Sequence, residues 1–112
     1  MELQRLSTQK LNTILAELRM QFEKMYGERL VHLVLYGSQA RRDALPGSDV
    51  DVLVVLAGSV EPATEIDRVS PITAALSLEH DIVISCVYIS EERYLQENSP
   101  LLLNVRREGI AV

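Results

Sequence analysis

Several things are scarce in this 112-residue chain, and each scarcity excludes something. There is one cysteine, Cys86, so no internal disulfide forms, and the chain reads as cytoplasmic. No apolar run reaches membrane-spanning length; the longest, Ile82–Ile89, is short even with polar interruptions allowed. The opening Met1-Glu2-Leu3-Gln4-Arg5 lacks the basic-then-apolar layout of a signal peptide. Basic charge is in deficit: the net charge is −5, which argues against a nucleic-acid groove as the main surface. It suits a basic protein partner or a metal-dependent nucleotide site. No repeat, low-complexity tract or linker interrupts the chain, and the length is that of one domain, 1–112, able to bury a small core.

What is present is a regular alternation of patterns. Leu11, Ile14, Leu15, Leu18, Phe22 and Met25 recur at helical spacing and predict a helix over 7–26. Ser7 is its N-cap, Leu6 a staple onto Leu11, and Gly27 its stop, with Leu3 an alternative start. Leu30–Tyr36 is nearly all apolar and predicts a strand buried on both faces, with His32 a strand residue rather than a ligand. Ser38–Arg42 opens a short helix, Pro46-Gly47 turns the chain, and Val50–Leu56 is a second apolar strand. Glu61–Leu78 is a helix entered at Pro62, with Ile66, Val69, Ile72, Thr73 and Leu76 as its apolar stripe and a bend near Ser70 ahead of Pro71. Asp81–Ile89 is a third, β-branched strand in which Cys86 acts as a small buried hydrophobe. Ser90 caps a helix beginning Glu91-Glu92, and Ser99-Pro100 starts another that ends near Glu108 at Gly109. Leu101, Leu102, Leu103 and Val105 either pack inward or form a partner surface. The fold class is α/β: a small mixed β-sheet flanked by helices.

The chemistry concentrates in Gly37–Asp51, G-S-Q-A-R-R-D-A-L-P-G-S-D-V-D. Gly37-Ser38 is a small-residue turn after a strand, able to approach phosphate closely, and a helix N-terminus following it presents free N–H groups. Asp49 and Asp51, one residue apart at the start of a strand, point to the same face. Their repulsion is costly without a cation. An Asp-x-Asp alone is ordinary turn chemistry; after a Gly-Ser turn and leading into an apolar strand, it reads as a metal site. A third carboxylate would complete a two-metal centre. Asp81, at the head of the third strand, is the first candidate, with Glu79 and Asp67 behind it. Three carboxylates around Mg²⁺ would hold a nucleoside triphosphate by its phosphates, activate an incoming hydroxyl and stabilise leaving pyrophosphate. Arg41 is either a phosphate contact or a helix-surface charge, and Arg42 is structural or partner-facing. Tyr36, before the turn, is placed to stack on a base or to fill core, and His80 is a polar residue at a strand entry.

Gly37-Ser38, ten residues, then Asp49-Val50-Asp51 resembles the G-S-x10-D-x-D signature of the DNA polymerase beta-like nucleotidyltransferase superfamily. The short length, the Ser48-Asp49-Val50-Asp51-Val52 run, Asp81 before a strand and the closing Arg106-Arg107-Glu108-Gly109 resemble its minimal nucleotidyltransferase antitoxins, encoded beside HEPN-domain toxins. One departure is visible: Arg42 stands where relatives commonly carry glycine. The resemblance implies the polymerase beta-like fold, with Gly37, Ser38 and Arg41 at the nucleotide and Asp49, Asp51 and Asp81 holding two Mg²⁺ ions. Asp81 is then also the general base. The implied reaction moves AMP from ATP to a tyrosine of a HEPN RNase toxin and silences it, with no direct nucleic-acid or membrane contact. Two other readings stand beside it: an antitoxin that neutralises by contact, and nucleotidyl transfer to a small-molecule hydroxyl.

Overall fold

A computed structural model describes residues 6–112. In chain order the elements are α1 (Thr8–Tyr26), a 3₁₀ turn (Gly27–Arg29), β1 (Leu30–Tyr36), α2 (Ser38–Arg41), β2 (Val50–Leu56), α3 (Pro62–His80), β3 (Ile84–Ser90), α4 (Glu91–Gln96), α5 (Pro100–Glu108) and β4 (Ile110–Ala111). The four strands form one mixed sheet in the order β3-β2-β1-β4. β1 is antiparallel to β2 and β4, and β2 is parallel to β3. This is the α/β architecture the alternation predicts.

β2 is central because it can be buried on both sides. Val52 to Leu56 are fully buried, and alternate residues enter two separate cores. Val50, Val52, Val54 and Leu56 face α1 and α3, packing with Ile14, Leu18, Phe22, Val69 and Leu76. Leu53 and Val55 face the other way, onto Leu102 and Val105 of α5. Each such aliphatic side chain contributes about 1.5–3 kcal/mol on burial, so the strand that begins with Asp51's segment is the most firmly held in the molecule.

The helix boundaries follow their caps. The Ser7 Oγ accepts from the Lys10 N–H at 3.0 Å, and Gly27 closes α1 with φ 55°. The alternative start at Leu3 lies outside the described residues. Ser90 and Ser99 cap α4 and α5, accepting from the N–H groups of Arg93 at 3.2 Å and Leu102 at 3.3 Å. Tyr26, outside the anticipated stripe, is buried and donates to Glu65 Oε1 at 2.8 Å. Glu65 also accepts from Arg29 Nη1 at 3.2 Å, so a buried polar knot joins α1, α3 and the entrance to β1.

Two expectations, the start of the third strand and the burial of Ile66, need correction. The third strand starts at Ile84, not Asp81, because α3 runs on to His80 and Asp81 closes it in the left-handed conformation at φ 53°, its N–H bonded to the Ser77 carbonyl. Asp tolerates that conformation better than most residues. α3 is one helix, as expected, and carries Pro71 inside it. Ile66 faces solvent rather than the core. The leucine run splits: Leu102 and Val105 are buried, while Leu103 is exposed, as a helix with a single inner face requires. His32 is an exposed strand residue whose ring lies 5.1 Å from that of Tyr94. Two-residue β4 was not anticipated; nothing in so short a segment signals a strand.

Candidate active site

The end of β1 and the start of β2 lie side by side, with Tyr36 in register with Asp51. Gly37 leaves β1 at φ 75° and ψ −157°, a backbone region essentially reserved for glycine. A Cβ there would lie 2.6 Å from Asp51 Oδ2. The carboxylate is therefore packed directly against the turn, and glycine is required both for the conformation and for the space. Ser38–Arg41 then forms the single turn of α2, with the Arg41 N–H bonded to the Gly37 carbonyl at 3.1 Å.

The loop that carries Asp49 is fixed from two sides. Leu45-Pro46-Gly47-Ser48 is a tight turn, closed by the Ser48 N–H on the Leu45 carbonyl at 3.0 Å with Gly47 at φ 82°. The buried Gln39 side chain donates from Nε2 to the Ser48 carbonyl at 3.3 Å, tying α2 to the residue before Asp49. Sequence reasoning missed Gln39; its place inside the Gly-Ser motif was the available signal.

Asp49 is exposed and Asp51 half-buried, both on the sheet face covered by α4 and α5. Burial first, and then the Asp49 charge, push the Asp51 carboxyl above its ordinary value; Arg41 opposes both. Two hard oxygen donors, one of them raised by the charge of the other, are a donor set that suits Mg²⁺. Asp49, Asp51, Gly37 and Ser38 are thus brought together.

Asp81 is not drawn into the pair. Asp49, Asp51 and Asp81 do not form a group with ligand atoms within 4.8 Å of one another, and Asp81 is not among the charges acting on Asp51. Its segment nonetheless runs to the same end of the sheet, since the Val50 N–H bonds the Val83 carbonyl at 2.9 Å. The residue of β3 in register with Asp51 is Ser85. Arg41 is occupied by protein: Nε donates to Asp43 Oδ2 at 3.1 Å and Nη1 to Glu108 Oε1 at 3.0 Å. Glu108 lies 67 residues away, so no local pattern could have named it. Arg42 sits at φ 62°, the left-handed cap of α2, a conformation that glycine adopts without strain. A separate cavity of about 580 Å³, lined by α1 residues with Leu35, Gln39 and Arg42, lies on the opposite sheet face and includes neither acid.

The family model described as "Nucleotidyltransferase domain" matches residues 15–105. The chain belongs to this nucleotidyltransferase family. Two proteins of Methanocaldococcus jannaschii, both assigned provisionally as protein adenylyltransferases, are each 34% identical to it. One alignment covers 86% of this chain and 56% of the relative, the other 75% and 79%. The chain thus spans little more than half the length of the first. Among solved structures, a provisionally assigned nucleotidyltransferase from Sulfolobus solfataricus superposes with a TM-score of 0.57 at 15% identity, over 95% of this chain and 87% of that one. A toxin–antitoxin structure with AMP-PNP gives 0.56 at 18% identity, over 83% and 68%. A mutant of the toxin–antitoxin pair MntA–HpeT gives 0.55 at 16%, over 95% and 72%. The fold is that of the nucleotidyltransferases.

Proposed function

We propose that this nucleotidyltransferase is an antitoxin that moves AMP from ATP to a tyrosine hydroxyl of a partner HEPN RNase toxin. The observation that carries the reading is the packing of the Asp49–Asp51 pair against the Gly37 turn. The names of the two M. jannaschii relatives and the toxin–antitoxin structures of the same fold support it.

Asp49 and Asp51 would hold Mg²⁺, whose charge would offset the repulsion that burdens Asp51. When bound, the metal neutralises the triphosphate and the charge that develops on the leaving group. Gly37 and Ser38 let the backbone approach the phosphates. Arg41 is the nearby cation available to the triphosphate; it must first leave Asp43 and Glu108. The tyrosine oxygen attacks the α-phosphorus, the bond to the bridging oxygen breaks, and pyrophosphate leaves. Asp81 takes the phenolic proton.

The test is to incubate the protein and its co-purified partner with labelled ATP and Mg²⁺. Label on the partner's tyrosine is expected. Label on a small molecule, or none with the toxin still neutralised, overturns the reading.

A further inference from the structure

We propose a second metal site, for Zn²⁺ or a similar transition ion, formed by Glu17 of α1 with Glu79 and His80 of α3. It is independent of the Asp49–Asp51 centre and of the reaction proposed there.

Glu17 Oε2 lies 3.2 Å from His80 Nε2, and Glu79 Oε2 lies 3.8 Å from the same nitrogen. All three ligand atoms fall within 4.8 Å of one another, the only such group of His, Cys, Asp or Glu side chains among the described residues. Two carboxylates converge on one ring nitrogen, which can offer a single proton, so Glu17 alone is hydrogen-bonded to the ring and Glu79 is left to solvent. Neither glutamate has an Arg or Lys partner among the described residues. A cation between the three atoms serves all of them. Tetrahedral coordination with ordinary Zn–N and Zn–O bonds puts donors roughly 3.3–3.5 Å apart, so the Glu17–His80 spacing already fits and Glu79 must draw in.

The surroundings suit the ion. His80 ends α3, where the helix dipole is negative and favours a cation. Its side chain is only 12% exposed, so the imidazole is held by packing, while Glu79 at 60% can swing to complete the site. Glu17 and Glu79 also line a cleft of about 440 Å³ between α1 and α3, which gives an ion its entry path. Imidazole separates this site from the all-oxygen pair at β2: nitrogen draws Zn²⁺ or Co²⁺, and oxygen alone suits Mg²⁺. Three protein ligands leave a position for water, and the bound ion would clamp α1 to the end of α3.

The experiment uses the whole chain with Asp49→Asn and Asp51→Asn, so that the other acids do not compete. Protein loaded with Zn²⁺ and desalted should retain one metal ion per chain and show a raised Tm; Co²⁺ should give visible absorption. Glu79→Gln, at an exposed position that leaves the fold alone, and His80→Gln should each weaken retention about tenfold or more and abolish the Tm rise. Failure of the Asp49→Asn, Asp51→Asn chain to retain Zn²⁺, or equal retention by the Glu79→Gln variant, overturns the site.

Discussion

At the residue scale the strongest constraint is between Gly37 and Asp51. Gly37→Ala combines a disfavoured backbone with a clash against Oδ2, so stability should fall by about 1–3 kcal/mol and turnover should drop with it. A thermal melt and a labelled-ATP assay read both. Asp51→Asn should act in opposite directions on the two readouts. Because burial and Asp49 raise the folded-state value of Asp51, the folded chain binds its proton more tightly than the unfolded chain does. Stability from this group is full below the unfolded value and declines as pH rises through the folded one. Near neutral pH and without metal, the ionised Asp51 is therefore a burden. Asp51→Asn should melt at the same or a higher temperature than the parent there, with the difference shrinking toward acid pH. Its nucleotidyl transfer should fall by at least about a hundredfold. An Asp51→Asn protein with parental activity would remove the metal site. Arg42→Gly relieves the left-handed strain of the α2 cap and should gain about 1 kcal/mol.

At the element scale the open question is the join between α3 and β3. Asp81 caps the helix with a left-handed backbone, and asparagine accepts that conformation equally well. Asp81→Asn should therefore keep the melting temperature, retain ATP binding through Asp49, Asp51 and the turn, and lose most turnover. Full turnover in Asp81→Asn, with Glu79→Gln or Asp67→Asn inactive, would move the third acid elsewhere. The same join shows what was legible from sequence. β1 and β2 were readable to the residue, because each is an apolar run with one polar residue, His32 or Asp51, ended by glycine or begun by acids. The Asp49–Asp51 pair and the Gly37 turn were readable for the same reason, as they punctuate those runs. The start of β3 was not. Asp81-Ile82-Val83 has strand composition, but the hydrogen bonds of α3 reach to Ser77 and hold Asp81 as a cap. The anchoring of Gln39 on Ser48 and of Arg41 on Glu108 depends on three-dimensional closure, which no spacing encodes.

At the scale of the whole molecule, the proposed toxin contact and the proposed catalysis would share one side of the sheet. Asp49 and Asp51 open onto the face covered by α4 and α5, and Arg41 joins the Gly37 turn to the end of α5 through Glu108. With Leu102 and Val105 turned inward, the apolar surface left on these helices is Leu95, 69% exposed, and Leu103, 52% exposed. A toxin docked there would bring a tyrosine toward the acids, and the chain's net charge of −5 would favour a basic partner. The two roles then separate by mutation. Leu95→Glu with Leu103→Glu should weaken the complex in a pull-down or by calorimetry while leaving ATP binding intact. Asp49→Asn with Asp51→Asn should bind the toxin as the parent does, because neither acid belongs to that helical surface. If neutralisation is by AMP transfer, this second protein should fail to protect cells at parental expression, and the toxin's tyrosine should stay unmodified. Protection by the acid-free protein, with no AMP on toxin taken from parental cells, would leave neutralisation by contact as the activity of this chain.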